Sequence, residues 1–196
     1  MPRRGMEQQR RQELVSAAID AIHETGSLDV TVGQIARRAG VSSALAHHYF
    51  GGKDDLIIAT MRHLMTVFAG HVRRRMKQAR SPRGRITAII HGSFTADQLE
   101  PKAMSAWLVF YAMAQASPGA LRLHRVYTAR LHSTLVDALV QLQPRAKAER
   151  TARGVAALID GIYLRCALGD DTPDTAEAVA LVEGYVEAMV GRRRRG

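Results

Sequence analysis

The sequence predicts an all-α protein of about nine helices, on three observations. Alternation of apolar and polar residues with a period of two is rare, and aromatic residues make up only 5% of the chain. Long stretches rich in Ala, Leu, Arg, Gln and Glu carry apolar residues at the three- and four-residue spacing of a helix face. Since 46% of the 196 residues are hydrophobic, the chain can bury a sizeable core.

Capping residues and helix breakers place the individual helices. Gly26 stops the first helix, and Thr31 caps the second. Gly40 permits a left-handed turn, after which Ser42 or Ser43 caps the third helix. Prolines mark the later boundaries, because proline starts a helix but cannot continue one; they are Pro82, Pro101, Pro118, Pro144 and Pro173. The expected helices span about 7–25, 32–39, 43–50, 53–80, 83–97, 101–117, 119–142, 145–168 and 174–190.

Positive charge is concentrated near the N-terminus. The formal net charge is +10; residues 1–80 hold 13 Lys or Arg against 7 Asp or Glu, whereas residues 81–191 hold 11 of each. The tail Arg192–Arg195 supplies the rest, and it either touches DNA or lipid or is simply solvated. We therefore expect the N-terminal third to face a polyanion. Charge and motifs together predict an N-terminal domain over 1–53, a neutral helical domain over 54–190 and a basic tail over 191–196.

Cysteine usage and hydropathy indicate the compartment. Cys166 is the only cysteine, which excludes a disulfide within the chain, and its apolar surroundings predict a buried, inert thiol. No apolar run approaches the roughly 18 to 20 residues that span a bilayer. The N-terminal run MPRRGMEQQRRQ lacks the apolar core of a signal peptide. A cytoplasmic protein with no membrane partner is the expectation.

Residues 31–50 have the spacing of a helix-turn-helix. Such a unit needs a small residue where its helices cross, a glycine at the turn and apolar residues that fix the angle. Ala36 and Gly40 supply the first two, and the apolar set is Ile35, Ala39, Val41, Ala46 and Tyr49. An ordinary helical hairpin is the alternative. The basic N-terminal third and the polar outward residues of the third helix favour a DNA-binding domain over that alternative.

The residues expected to contact DNA lie on the second and third helices and just beyond. Ser and His side chains can bond base edges or phosphates, and Ala and Leu can pack on a thymine methyl group. Backbone N–H groups at the start of the second helix and a lysine suit phosphate oxygens. The candidates are Thr31, Gln34, Ser42, Ser43, Ala44, Leu45, His47, His48, Tyr49 and Lys53. Arg3 and Arg4, expected ahead of the first helix, either reach a minor groove or form a solvated arm.

No catalytic residue, metal site or cofactor is expected. No Ser/His/Asp arrangement or phosphate loop occurs at meaningful spacing. The adjacent His47 and His48 diverge on a helix and have no third ligand nearby. An enzyme and a basic membrane-binding protein are therefore disfavoured, and competition between anionic vesicles and operator DNA would test the latter.

The run TVGQIARRAGVS at 31–42, followed by Tyr49, Phe50, Lys53 and Leu56, resembles the N-terminal domain of TetR-family transcriptional repressors. This resemblance covers about the first 60 residues. It implies a helix-turn-helix repressor that binds operator DNA as a homodimer and responds to a small molecule. Two residues depart from the common pattern: Ala44 where many members have Gly, and His47 where many have Tyr. Both lie on the recognition helix, which puts the base preference in doubt.

A narrower resemblance spans nearly the whole chain. The segments MPRRGM, IARRAGVS with HHYF, KAMSAWLVF, and ALIDGIYLRCAL are similar to the choline-responsive repressors of glycine betaine synthesis within that family. The resemblance implies repression of genes for choline uptake and for choline oxidation to the osmoprotectant betaine, relieved by choline. A repressor of the same family that answers a different effector is the alternative.

The larger domain contains residues suited to a quaternary ammonium ion, which needs aromatic faces and a carboxylate because it cannot donate a hydrogen bond. Trp107, Phe110 and Tyr111 share one helix face, and Asp160 and Tyr163 lie three residues apart in an apolar stretch. These five are the candidate effector residues. The aromatic residues suit a helical core equally well, and a basic residue such as Arg165 can pair with Asp160 instead.

The last two helices are expected to form the homodimer interface, as the resemblance implies. Their apolar positions recur at spacings of three and four, although an internal core would show the same pattern. These positions are Val155, Leu158, Ile162, Val179, Val182 and Val186, with Gly154 and Gly161 permitting close approach. Effector binding is expected to favour an arrangement in which the paired DNA-binding domains no longer match the operator spacing, with the fourth helix carrying the displacement.

Overall fold

The computed structural model describes residues 2–26, 29–169 and 174–191, and of residues 2–5 only the backbone. Within these residues the chain forms nine helices and no strand, which confirms the predicted all-α fold. The helices are α1 (Pro2–Thr25), α2 (Val32–Arg38), α3 (Ser43–Phe50), α4 (Lys53–Met76), α5 (Pro82–Ser93), α6 (Pro101–Ala116), α7 (Pro118–Leu139), α8 (Arg145–Ala167) and α9 (Thr175–Val190).

Several helix ends differ from expectation. Helix α1 begins at Pro2 instead of near Glu7, so Arg3 and Arg4 belong to its first turn instead of preceding it. Proline is compatible with that position because the first N–H groups of a helix have no intrahelical partner. Two ion pairs within α1 stabilise its N-terminal half. They join Arg11 to Glu7 and Arg10 to Glu13.

Helices α4, α5 and α7 end three or four residues earlier than predicted. After α4, backbone hydrogen bonds between residues three or four apart continue as far as Ala79. The Ser81 hydroxyl then accepts from the Gly84 N–H at 3.0 Å and caps α5. Helix α5 ends because Phe94 leaves helical geometry, with φ −123° and ψ 69°, and its ring is buried. Apolar periodicity continues through all three ends, so it does not show where the backbone turns.

The chain divides into two compact units. Unit 1 comprises residues 1–65 and 101–123, and unit 2 comprises residues 66–100 and 124–196. In unit 1, α1 packs against α2 and α6, and α2 packs against α3. In unit 2, α9 packs against α5 and α8. The functional boundaries after residues 53 and 190, drawn from motifs and charge, stay a prediction.

Most of the positions expected at a dimer interface are instead part of the core of unit 2. Val155 and Val182 are completely buried within the single chain, and Ile162, Val179 and Val186 are nearly so; Leu158 is half-buried. Gly154 makes its close approach inside the chain: a Cβ atom there would lie 2.0 Å from Tyr185 Oη. The interface prediction was therefore wrong for Gly154 and for the five buried residues, whose pattern belongs to packing within one protomer. For Leu158 and for Gly161, at which a Cβ atom would meet nothing within 4 Å, it stays a prediction.

The remaining expectations concern residues outside the described part of the chain, the burial of Cys166 and membrane-spanning helices. Arg192–Arg195 and Pro173 lie outside the described residues. Cys166 is half-buried instead of fully buried, and this partial burial raises the pKa of its thiol. No helix among the described residues is long and apolar enough to cross a membrane.

Candidate nucleic-acid interface and effector sites

Helix α2 begins with a complete capping box. The Thr31 hydroxyl accepts from the Gln34 N–H at 3.2 Å, and the Gln34 side-chain Oε1 accepts from the Thr31 N–H at 2.7 Å. The two side chains satisfy backbone donors that the helix leaves unpaired. Both residues are exposed candidates for DNA contact, but the Gln34 carbonyl oxygen is already occupied by the cap.

The turn between α2 and α3 holds the two helices at a fixed angle. Gly40 has a φ of +65°, and the Val41 N–H donates to the Ala36 carbonyl at 3.0 Å. A compact apolar core lies beneath the turn, and it contains most of the residues chosen from the sequence. Its members from α2, α3 and the turn include Val32, Ile35, Ala36, Ala39, Val41, Ala46, Tyr49 and Phe50. The predicted helix-turn-helix geometry is therefore present.

Helix α3 exposes four of the ten predicted DNA-contacting residues, and its N-cap exposes a fifth. Ser42 is its N-cap and accepts from the Leu45 N–H at 3.1 Å, so the Ser42 hydroxyl has a structural role as well as an exposed position. Exposed side chains on the same helix are those of Ser43, Ala44, His47 and His48. Leu45, Tyr49 and Lys53 are half-buried, which leaves each of them only part of its surface for a partner.

Arg11 joins α1 to the C-terminal end of α3. Its guanidinium carbon lies 5.3 Å from the ring centroids of both Tyr49 and Phe50. A cation at this distance over an aromatic face is attracted by the ring quadrupole. Sequence reasoning missed Arg11, because the contact joins residues 38 positions apart and follows no local periodicity.

A second link joins α1 to α2. Arg38 donates through both terminal guanidinium nitrogens to the carboxylate of Glu24, and this hydrogen bonding lowers the pKa of Glu24. Arg38 is therefore engaged with α1, while Arg37 on the same helix is exposed. Of the two arginines in the ARR motif, Arg37 is the better placed to meet a phosphate.

The aromatic residues predicted for the effector form a cluster in unit 1. We define the α6 aromatic cluster as Trp107, Phe110 and Tyr111, whose ring centroids lie 6.1 to 6.5 Å apart in pairs. Trp107 and Phe110 are buried, and Tyr111 is half-buried. The cluster is part of a packed interior, as the core alternative predicted, and it keeps one partly accessible ring.

The other predicted effector residues lie in unit 2. Tyr163 is buried, its hydroxyl donates to the Ser93 carbonyl at 2.5 Å, and its ring stacks on Phe94 at 6.0 Å. Asp160 lies one turn earlier on α8 and is half-buried. Tyr163, which stacks on Phe94, thus lies three residues from a carboxylate on α8, and an aromatic ring near a carboxylate suits an organic cation.

The segment that follows α5 contributes residues that sequence reasoning missed. Gln98 is buried, and among the described residues no donor lies within hydrogen-bonding distance of its Oε1. Neighbouring Asp97 accepts from His71 Nε2 at 2.8 Å. Burial acts to raise the Asp97 pKa, but the nearby Thr95 hydroxyl and the hydrogen bond from His71 outweigh it and hold that pKa below its usual value. A glutamine in a loop has no sequence signal that distinguishes a buried position from an exposed one.

Among the described residues, no group of three His, Cys, Asp or Glu side chains is arranged to hold a metal ion. His71 and His91 each pair with a single carboxylate, on Asp97 and Glu183. The pairs are local links between helices or loops of unit 2.

Family models match most of the chain. The model described as bacterial regulatory proteins of the tetR family matches residues 14–60, which include the helix-turn-helix. The model described as the C-terminal part of BetI-type transcriptional repressors matches residues 82–191.

Individual relatives agree with these matches. The chain is 56% identical to the HTH-type transcriptional regulator BetI of Brucella melitensis over 186 residues, 95% of this chain and 94% of that protein. It is 48% identical to the regulator of the same name from Rhizobium meliloti, over 96% of this chain and 93% of that one. A transcriptional regulator from Saccharomonospora viridis, solved in complex with choline, has the same fold with a TM-score of 0.82 at 19% identity, covering 95% of this chain and all of that one.

Proposed function

The chain belongs to the TetR family of bacterial transcriptional regulators, and on that premise we propose that it represses genes for choline uptake and choline oxidation until choline binds. It is a DNA-binding repressor of the BetI type and not an enzyme. The observation that carries the proposal is 56% identity over 95% of the chain with a BetI regulator. Its action on the chromosome would take place in the cytoplasm.

The proposed DNA contacts divide by chemistry. Ser43 and Lys53 contact phosphate oxygens, since a hydroxyl and an ammonium group donate to them. Thr31 lies at the start of α2, whose backbone N–H groups suit another phosphate; its own hydroxyl donates to Gln34 Oε1 at 3.0 Å. His47 and His48, exposed on α3, contact base edges in the major groove. The remaining candidates, Gln34, Ser42, Ala44, Leu45 and Tyr49, support or adjoin these contacts.

Choline is the proposed effector for two reasons. The segments KAMSAWLVF and ALIDGIYLRCAL resemble those of choline-responsive repressors, and a regulator with this fold holds choline in the Saccharomonospora structure. The chain offers aromatic rings at the α6 aromatic cluster, and rings beside a carboxylate at Tyr163 and Asp160. Either arrangement attracts a quaternary ammonium ion more strongly than a neutral ligand of the same size.

A homodimer would use the side of α8 and α9 that faces away from the core of unit 2. Leu164, Leu168 and Leu181 are 42%, 64% and 55% exposed, which is unusual for leucine. Gly161 and Gly184 lie on the same sides of these helices and have open space where a Cβ atom would be. Such residues allow two helix pairs to approach closely.

The interface is tested by Leu181→Glu, which places a charge in the proposed contact. We expect a monomer in sedimentation experiments and loss of operator affinity, because two recognition helices must bind together. Val126→Glu is the matched control, since Val126 is 45% exposed on α7 and lies outside the proposed surface. A dimeric Leu181→Glu variant would contradict the assignment.

The proposed function is tested by a gel shift on the DNA upstream of the protein's own gene, with and without choline. We expect a specific complex that choline weakens, while betaine and hydrophobic amines do not. Fluorescence of Trp107, the only tryptophan, provides an independent titration. A specific complex that responds to another compound and not to choline would favour a different effector; absence of any specific complex would contradict the choice of target.

A further inference from the structure

A buried hydrogen-bond acceptor in unit 2 has no donor among the residues that the structure describes. Gln98 is only 1% exposed, and no donor among the described residues bonds its side-chain Oε1. A buried amide oxygen without a donor costs on the order of 1 to 3 kcal/mol, and buried polar groups in native proteins are nearly always paired. Such an atom is therefore expected to have a partner that is not part of the chain.

Gln98 is held where it lies by neighbours on both sides. Its N–H donates to the Thr95 carbonyl at 2.9 Å, which closes a turn. The preceding residue, Asp97, points outward to His71 on α4 at 2.8 Å, while Gln98 itself is buried. Four residues upstream, Phe94 stacks on Tyr163. Gln98 thus belongs to a short segment, residues 94–98, in which Phe94 contacts Tyr163, a candidate effector residue.

The chemistry of a quaternary ammonium alcohol matches this acceptor. Its nitrogen carries four carbon substituents and has no N–H group, so the hydroxyl is the only hydrogen-bond donor in the molecule. Oxidation of that alcohol to a carboxylate removes the donor and leaves two oxygens that can only accept. An amide oxygen would therefore attract the alcohol and repel the carboxylate.

We propose that Gln98 Oε1 accepts the hydroxyl hydrogen of the effector and thereby distinguishes the alcohol from its oxidised product. This assignment rests on the proposed response to choline and adds to it a residue that sets specificity. A site with a buried polar group rejects ligands that leave the group unpaired, often more strongly than an apolar pocket rejects a change of size. Tyr163 and Phe94 would supply the aromatic surface, and Asp160 the negative charge, within the same unit.

The neighbouring Asp97 connects this segment to α4. Because His71 lies on that helix, a hydrogen bond that orders residues 94–98 also favours one position of the Asp97–His71 pair. The Asp97–His71 hydrogen bond would then connect the effector-binding segment to α4, the helix that follows the DNA-binding domain.

The assignment is tested by comparing the affinities of three ligands for the unmodified protein and for a variant at residue 98. Choline, ethyltrimethylammonium and betaine are titrated against the full-length protein and against Gln98→Met, which keeps the side-chain length and removes the acceptor. Ethyltrimethylammonium keeps the charge and shape of choline but has no hydroxyl. We expect the unmodified protein to prefer choline by roughly tenfold, about the effect of one hydrogen bond, and the variant to bind the two within about twofold.

Gln143→Met is the matched control. Gln143 Oε1 likewise lacks a donor within the described part of the chain, but the residue is only half-buried and its amide nitrogen donates to Thr151 Oγ1 at 2.9 Å. That variant should keep the tenfold preference. Operator binding without ligand should be unchanged in both variants, which shows that they are folded.

The outcomes separate this assignment from the proposed function. If none of the three ligands binds the unmodified protein, the choline response is wrong and the role of Gln98 falls with it. If choline binds but Gln98→Met keeps the preference over ethyltrimethylammonium, only the role of Gln98 is overturned. Equal affinity of the unmodified protein for betaine and choline would also overturn it. That result would mean that the Gln98 side chain directs its NH2 group, and not Oε1, toward the ligand.

Discussion

The ring of His47 is held by Gly51: His47 Nδ1 lies 2.9 Å from the Gly51 carbonyl oxygen. A carbonyl oxygen can only accept, so Nδ1 carries the hydrogen and the exposed Nε2 of the neutral ring is an acceptor. A neutral Nε2 cannot donate to a phosphate, whereas it can accept from the amino group of adenine or cytosine. This differs from the tyrosine that many TetR-family members have here, whose hydroxyl can donate.

We therefore predict that neutral His47 carries its hydrogen on Nδ1. Long-range proton–nitrogen NMR spectra of the free protein, recorded above the pH at which the ring titrates, would measure this. His48 has no such bond among the described residues and is the internal reference; it should show the Nε2–H form that dominates in exposed histidines. A His47 ring with its hydrogen on Nε2 would contradict the geometry.

Removal of Arg11 is expected to destabilise the N-terminal domain and weaken operator binding. Arg11→Ala removes the cation that lies over Tyr49 and Phe50, and the free energy of unfolding should fall by about 1 kcal/mol. Urea unfolding followed by circular dichroism measures the change. Arg10→Ala is the matched control, because Arg10 also pairs with a glutamate on α1 but contacts neither ring. Equal losses in the two variants would show that the ring contacts contribute nothing.

The division of DNA contacts predicts different behaviour for Lys53→Ala and His48→Ala. Lys53→Ala should weaken binding to every sequence and reduce the slope of log affinity against log salt by about 1, because one phosphate contact is lost. His48→Ala should change the preference among operator variants. Fluorescence anisotropy over a salt series and a set of operators measures both, with the exposed Arg130→Ala on α7 as control. Proportional losses on all operators for both variants would refute the division.

The Asp97–His71 pair is expected to make stability depend on pH at the acid end. The Asp97 pKa is lowered in the folded protein from its ordinary value of 3.8, so its contribution is present above that value and is lost as pH falls through the lower folded pKa. Asp97→Asn should therefore be less stable at pH 7 by up to about 1 kcal/mol, since the pair is partly exposed. The difference should vanish once the pH lies below the lowered pKa of folded Asp97.

Thermal unfolding across pH measures this effect, with Asp137→Asn as control. Asp137 is exposed on α7, and the hydrogen bond that it shares with Gln141 uses its backbone carbonyl. That variant should follow the unmodified protein at every pH. A difference for Asp97→Asn that persists at acid pH would attribute the loss to packing instead of charge.

The helices could be predicted from sequence because their determinants are local. Thr31 and Ser42 cap α2 and α3 as expected, and Gly40 takes up the left-handed conformation that the turn requires. The same local signals did not show that Thr31 and Gln34 use each other's side chains, which limits what Gln34 can offer to DNA. Several helix ends differ from the prediction, because residue spacing does not show where a backbone such as that of Phe94 turns.

The parts that sequence could not supply depend on contacts between distant residues. Arg11 reaches Tyr49 across 38 positions, and Val182 fits an internal core as well as it fits an interface until burial is known. The predicted effector aromatics do form a cluster, yet the buried acceptor on Gln98 follows from no periodicity. Spacing identified which residues share a helix face, and only the folded chain shows what that face contacts.

Because α8 and α9 lie close together at Gly154, we expect substitutions at residues 154 and 185 to depend on each other during evolution. Since a Cβ atom at residue 154 would lie 2.0 Å from Tyr185 Oη, a side chain there requires either that the half-buried Tyr185 ring moves or that residue 185 is smaller. Homologues should therefore show the two positions changing together, with tyrosine at 185 found mainly in chains that have glycine at 154. A lineage that lost the tyrosine first would be free to lose the glycine later, whereas the reverse order would first require the Tyr185 ring to move.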